Sequence, residues 1–176
     1  LDAVNETNFK RFVMILKSAG IISRGFYSSV NAVNLSYILY LMLKKDKMKS
    51  EIIEKIVKRW FVLSSLTGRY AGSTDSTIDA DVKKFNSNDI EKYLKEQEDT
   101  ELSDAFWNVG LISSLNQASQ SSPYLGIFWA SQIANNDKGF LSKDITVREL
   151  NEQRGDIHHL FPKNYLITNG LFKILS

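Results

Sequence analysis

The run Gly155-Asp156-Ile157-His158-His159-Leu160-Phe161-Pro162-Lys163-Asn164-Tyr165 holds both histidines of the chain and the second of its two prolines. Hydrolytic attack on a phosphodiester needs a base to activate water and a divalent cation to steady the scissile phosphate and the leaving oxygen. A histidine beside a metal ligand is the smallest unit that offers both. Because the chain has no cysteine, a metal here must be held by imidazole, carboxylate, amide or water. On a regular strand His158 and His159 point to opposite faces, so one site uses both only where the strand bends. Pro162 interrupts regular continuation and supports such a bend. The alternative is two partly buried imidazoles bonded to backbone, and the pair alone leaves both readings open.

The elements that must position this run read as helices. Phe9, Phe12, Val13 and Leu16 recur at helical spacing, with Gly20 at the expected left-handed stop, which predicts a helix over about Thr7 to Ala19. A second is expected from about Ser29 to Lys45; its centre, Leu35 to Leu43, is apolar on nearly every side and reads as the core helix. Ser50 is placed to cap a third, striped by Ile52, Ile53, Ile56, Val57, Trp60 and Phe61 and ended by Gly68. A loop, Gly68 to Asp75, precedes helices over Thr77 to Phe85 and, capped by Ser87, over Asn88 to Gln97. The acidic stretch Glu96 to Glu101 reads as a solvated turn, and Ser103 to Val109 as a short helix that buries Phe106 and Trp107. Asn116 to Ser122 is a loop by composition. Pro123 suits the first position of a helix striped by Leu125, Phe128, Trp129 and Ile133. Thr146 and Glu149 have capping-box spacing, so a helix over Val147 to Gln153 delivers the chain to the histidine run. No strand set alternates. The fold class expected is all-α, an irregular helical bundle with at most one short extended segment near the C-terminus, around Ile157 to Phe161.

Composition bounds the partners. The 176 residues suffice for one good core, and 22 basic against 20 acidic residues give a net charge of only +2, so nucleic acid binding would rest on a local patch. The longest apolar run, Tyr37 to Leu43, falls far short of the roughly 20 residues that cross a bilayer, so no membrane partner is expected. The lack of cysteine fits a cytoplasmic location. A start at Leu1 reads as a segment of something longer.

The string Asp156-Ile157-His158-His159-Leu160-Phe161-Pro162-Lys163-Asn164-Tyr165-Leu166 resembles the nuclease motif of GmrSD-type restriction proteins, which pair an N-terminal ParB-like nucleotide-binding domain with a C-terminal HNH-like domain. Upstream, Arg69-Tyr70-Ala71-Gly72-Ser73 followed by Asp79 and Asp81 resembles the Arg-Tyr-x-Gly-Ser segment of the helical region in that family. The resemblance implies a helical domain over 1–145 and the start of an HNH-like nuclease motif over 146–176. It implies His159 as general base, His158 as ligand of a divalent metal (Mg or Mn), DNA as substrate, and the nucleotide-binding domain of the same protein as partner. Arg154, Lys163 and Lys173 are candidates for phosphate contact. The family's nucleotide signature is absent from this chain. The second strand and helix of an HNH site, with an Asn and a further ligand, are expected well beyond the histidines, whereas 14 residues follow Pro162. Asn164 and Asn169 are too near His159 to replace those groups, so the chain by itself is expected not to cut DNA.

Two readings of Arg69 and Tyr70 stay open. In the structural one Arg69 pairs with Asp79 or Asp81, Tyr70 packs on the third helix and Gly72 takes a special backbone angle; in the functional one the loop relays between a nucleotide domain and the nuclease. Trp60, Trp107 and Trp129 lie on helical stripes and read as core rather than base-stacking platforms. The runner-up for the whole chain is a non-catalytic helical interaction or signal-transmitting module.

Overall fold

The computed structural model describes residues 5–27, 29–71, 75–86, 89–117, 122–140, 142–153 and 168–169. Among them eight α-helices form and no strand, the expected all-α class: α1 (Glu6–Ser18), α2 (Val30–Lys45), α3 (Ser50–Leu66), α4 (Asp75–Phe85), α5 (Ile90–Glu101), α6 (Leu111–Asn116), α7 (Pro123–Ala134) and α8 (Val147–Glu152). The chain divides into two compact units between Asp137 and Lys138. The extended segment expected around Ile157 to Phe161 lies outside the described residues, as does the Ser87 cap.

In the first unit the central helix is α3, not α2. It packs against α1, α2, α5 and α7, and its last turns are buried on every side through Trp60, Phe61, Leu63, Ser64, Ser65 and Leu66. The apolar centre of α2 buries one face, Leu35, Ser36, Leu39, Tyr40 and Leu43, while Ile38 is exposed. Trp60 sits at the middle of the core, edge-on to Phe85 at 4.9 Å and stacked near Tyr93 at 5.8 Å. Helix α3 ends as its sequence demands. Gly68 adopts φ +61° and Arg69 N–H reaches back to the Ser64 carbonyl at 3.1 Å, the six-to-one bond of a left-handed stop. Its start differs from expectation. Ser50 is the first helical residue, Lys49 holds the cap position, and no side chain caps that end.

Three other expectations are corrected. Glu96 to Glu101 is the last part of α5 and not a turn; Arg59 donates from Nε to Glu98 at 2.8 Å and Lys95 pairs with Asp99 one turn on, so acidic residues here have partners that favour the helix. The segment before α6 is helical but widens into a π turn over Phe106–Gly110, with Leu111 N–H bonded to the Phe106 carbonyl. Trp107 is exposed by 44% there and is not core. Helix α7 starts with Pro123 at its first turn and buries Ile133, both as expected, but its other buried residues are Gly126 and Ala130 rather than Leu125, Phe128 and Trp129. The reason is backbone proximity: a Cβ on Gly126 would lie 2.3 Å from the Phe26 carbonyl oxygen, and one on Gly20 would lie 1.9 Å from that of Ala130. Small residues let α7 approach that closely, which leaves Phe128 outside.

In the second unit Lys138 and Thr146 form an isolated antiparallel bridge, closed by Gly139 N–H on the Ile145 carbonyl at 2.9 Å. Helix α8 follows with the expected capping box: Thr146 Oγ1 accepts from Glu149 N–H, and Glu149 Oε2 accepts from Thr146 N–H at 2.6 Å.

Candidate functional site

The four residues that sequence assigns to chemistry, His158, His159, Arg154 and Lys163, lie outside the described residues, and so does Lys173. Among the described residues no group of three or more His, Asp or Glu side chains is arranged to hold a metal ion, and no helix is long and apolar enough to cross a membrane.

The second segment singled out, Arg69 and Tyr70, is described, and it builds a buried polar centre in the first unit. The left-handed stop of α3 throws Arg69 and Tyr70 back over the end of that helix. Asp81 comes from α4 and Tyr93 from α5. Asp81 is fully buried and accepts four hydrogen bonds. Arg69 donates from Nε to Oδ2 at 2.8 Å and from Nη2 to Oδ1 at 2.7 Å; the Tyr70 and Tyr93 hydroxyls donate at 2.7 Å to Oδ2 and Oδ1 respectively. The ring closes where Arg69 Nη2 also donates to the Tyr93 oxygen at 3.0 Å. Beneath it the guanidinium lies 5.3 Å from the centroid of Trp60.

The electrostatics follow from this arrangement. Hydrogen bonding to Asp81 outweighs burial at Arg69 and drives its pKa further up, so it is permanently cationic. Burial first, and donation to Asp81 second, push the Tyr70 hydroxyl far up and that of Tyr93 up to about 12. Both are fixed as neutral donors at ordinary pH. The Trp60 indole N–H is close enough to the Tyr70 oxygen to oppose that rise slightly, yet it makes no hydrogen bond of standard geometry.

This centre can hold helices together but cannot perform acid–base work as it stands. A carboxylate offers about four lone-pair positions, and here all four carry donors, leaving none for a water or a cation. The structural reading of Arg69 and Tyr70 is therefore the one the geometry supports, with Asp81 and not the exposed Asp79 as partner. Gly72 lies outside the described residues. Sequence reasoning missed Tyr93 and the stacking role of Trp60. The signal was present: Ile90, Tyr93 and Leu94 share a helical face, as do Asp81 and Phe85 one turn apart.

Set against known proteins, the chain matches no family model, and neither a curated protein nor a solved structure is significantly similar to it.

Proposed function

We propose that the chain is the helical region and the leading part of the nuclease module of a GmrSD-like HNH restriction endonuclease, a cytoplasmic enzyme of bacterial defence that hydrolyses phosphodiester bonds of foreign DNA. The observation that carries the proposal is the string Asp156 to Leu166, which places both histidines and Pro162 in the order of that motif. Two features of the fold support it. The capped helix α8 ends at Glu152, so an ordered element leads in sequence directly to Arg154 and the histidines. The Arg69-Tyr70 segment, the other point of resemblance, organises a helical bundle, as a fold-determining motif of the helical region should.

In this reading neutral His159 takes the proton of the attacking water, His158 is a metal ligand, and Arg154 and Lys163 contact flanking phosphates. A bound divalent cation supplies charge neutralisation at the scissile phosphate. An imidazole donor suits Mn better than Mg, which prefers oxygen ligands, so Mn is the better expected activator. The nucleotide-binding domain is proposed as a partner region of the same protein.

The test is plasmid cleavage by the polypeptide encoded by the whole reading frame that contains these residues, in Mn²⁺ or Mg²⁺. Metal-dependent cleavage lost in His159→Ala is expected; cleavage that persists in that variant refutes the assigned base. One observation favours the non-catalytic module instead. Trp107, Val109 and Ile112, around the π turn and in α6, and Phe128 of the neighbouring α7 are all exposed, an apolar set of the kind that marks interaction surfaces. Absence of any cleavage, together with self-association or partner binding abolished by Trp107→Ser, supports that alternative.

A further inference from the structure

Helices α1, α2 and the start of α3 line an open cavity of about 470 Å³, within the range of roughly 300–1,000 Å³ typical of small-molecule sites. Met14 and Ile15 of α1, Met48 of the α2–α3 connection and Ile53 of α3 give it apolar walls. Its polar groups are mostly electropositive or hydrogen-bond donors. Arg11 and Lys44 line it, and Lys44 is anchored by donation to the Asn8 side chain. The connection that forms one wall, residues 44–50, carries Lys44, Lys45, Lys47 and Lys49 against Asp46 alone.

Two further features converge there. Helix α3 begins at the lining residue Ser50 with no side-chain cap, so its first amides and its dipole present partial positive charge. Tyr40 is largely buried and lines the same cavity, near enough to Arg11 for the guanidinium to oppose the rise that burial imposes on its hydroxyl pKa. A tyrosine hydroxyl in the lining of a cavity beside an arginine is placed to donate to an anion. The acidic residue in the lining, Glu54, is paired with Lys58 at 2.6 Å and accepts from the Ser18 hydroxyl at 3.2 Å, so its charge is compensated by Lys58.

We propose that this cavity binds a small amphipathic anion, a phosphate monoester or carboxylate on an apolar body, with Arg11, Lys44, Tyr40 and the start of α3 on the headgroup and Met14, Met48 and Ile53 around the body. The site is independent of the histidine run and of the nuclease reading. The headgroup chemistry is shared by a free metabolite and by an anionic lipid.

The experiment is amide NMR titration of the chain with phenyl phosphate, inorganic phosphate, benzyl alcohol and vesicles of phosphatidylglycerol. Expected is saturable binding of phenyl phosphate, read at Arg11, Met48, Ser50 and Glu51, with phosphate and benzyl alcohol each about tenfold weaker or worse because each supplies half of the contacts. Arg11→Ala, at an exposed position, should weaken phenyl phosphate about tenfold or more, and Tyr40→Phe, which deletes only the hydroxyl and keeps the packing, about three- to tenfold. Stronger vesicle binding, lost in the same variants, assigns the headgroup to a lipid. No saturable shift, equal affinity for phosphate alone, indifference to both variants, or displacement of phenyl phosphate by a short DNA duplex bound at the same amides overturns the proposal.

Discussion

Replacing Arg69 by alanine should be among the most damaging substitutions in the first unit. It removes the two bonds from the guanidinium to Asp81, at 2.8 and 2.7 Å, and the cation over Trp60. Asp81 stays fully buried with only the two tyrosine hydroxyls for company. Each hydrogen bond to a charged group is worth about 1.5–3 kcal/mol, and breaking a buried ion pair from one side costs about 3–5 kcal/mol. The second figure applies because the remaining carboxylate is shielded from water, while the space left by the arginine admits some solvent and trims the loss toward the lower end. A cost of about 3–4 kcal/mol is a large part of a typical stability of about 5–15 kcal/mol and corresponds to a fall in Tm of about 10–15 °C for a domain of this size. Thermal and urea unfolding followed by far-ultraviolet circular dichroism, with tryptophan fluorescence to which buried Trp60 contributes beside Trp107 and Trp129, measures it. Arg69→Lys keeps a charge but not the fork and should fall between alanine and wild type. Asp79→Ala, at an exposed position, should stay within about 0.5 kcal/mol of wild type. A Tm for Arg69→Ala within about 2 °C of wild type, or an equal loss in Asp79→Ala, refutes the reasoning.

The tyrosines give the same centre an alkaline limit. The Tyr93 pKa is raised to about 12 and Tyr70 is also raised, so the unfolded chain releases these protons first; stability should be complete below about pH 10 and decline as pH rises toward 12, with Tyr93→Phe flattening the decline seen in pH-dependent urea titrations. Gly126→Ala should destabilise by at least about 2–3 kcal/mol in the same urea assay, because its Cβ meets the Phe26 backbone at 2.3 Å and backbone cannot step aside as a side chain can. Thr146→Ala removes one half of the α8 capping box, worth about 1 kcal/mol, and should speed amide exchange across residues 147–152 about fivefold.

What was legible in the sequence divides by range. Helix ends written in local chemistry came through except for the Ser50 cap of α3: Gly20 and Gly68 at positive φ, Pro123 in the first turn of α7, Thr146 with Glu149 at the start of α8. Features set by a distant partner did not. Glu96 to Glu101 is an acidic run by itself, and only Arg59, 39 residues away, gives Glu98 a reason to be helical. The face of α7 is chosen by which residues let Phe26 and Gly20 come close, and a search for large apolar residues looks past Gly126 and Ala130. Apolar type did not decide burial at Trp107 because the π turn rotates that helix out of any single helical stripe. The choice between Asp79 and Asp81 was open to inference: two residues differ by about 200° around a helix, and Asp81 shares its face with Phe85, which is buried. The histidine run stays a reading of residues, since it lies outside the described ones.

The saturation of Asp81 also separates the two points of family resemblance. A relay through Arg69 needs an element with two arrangements, and the alternative partner among the described residues is Glu101, whose Oε1 lies 4.0 Å from Arg69 Nη1. That carboxylate is 44% exposed, so a pair with it is worth about 1 kcal/mol at most. Moving Arg69 to it would strand Asp81, at a cost of about 3–5 kcal/mol. A ligand would have to bind the switched form about 10⁴-fold more tightly to carry the population from 1:99 to 99:1, and a larger initial bias raises that demand further. The Arg69-Tyr70 segment therefore speaks to how the helical bundle is held, and only the histidine run belongs to the proposed chemistry. Their variants should separate accordingly. If the proposed function holds, then in the polypeptide encoded by the whole reading frame Arg69→Ala should lower the amount of folded protein without changing cleavage per folded molecule, and His159→Ala should abolish cleavage while leaving the unfolding curve of the first unit in place. A cleavage defect in folded Arg69→Ala protein would restore the relay.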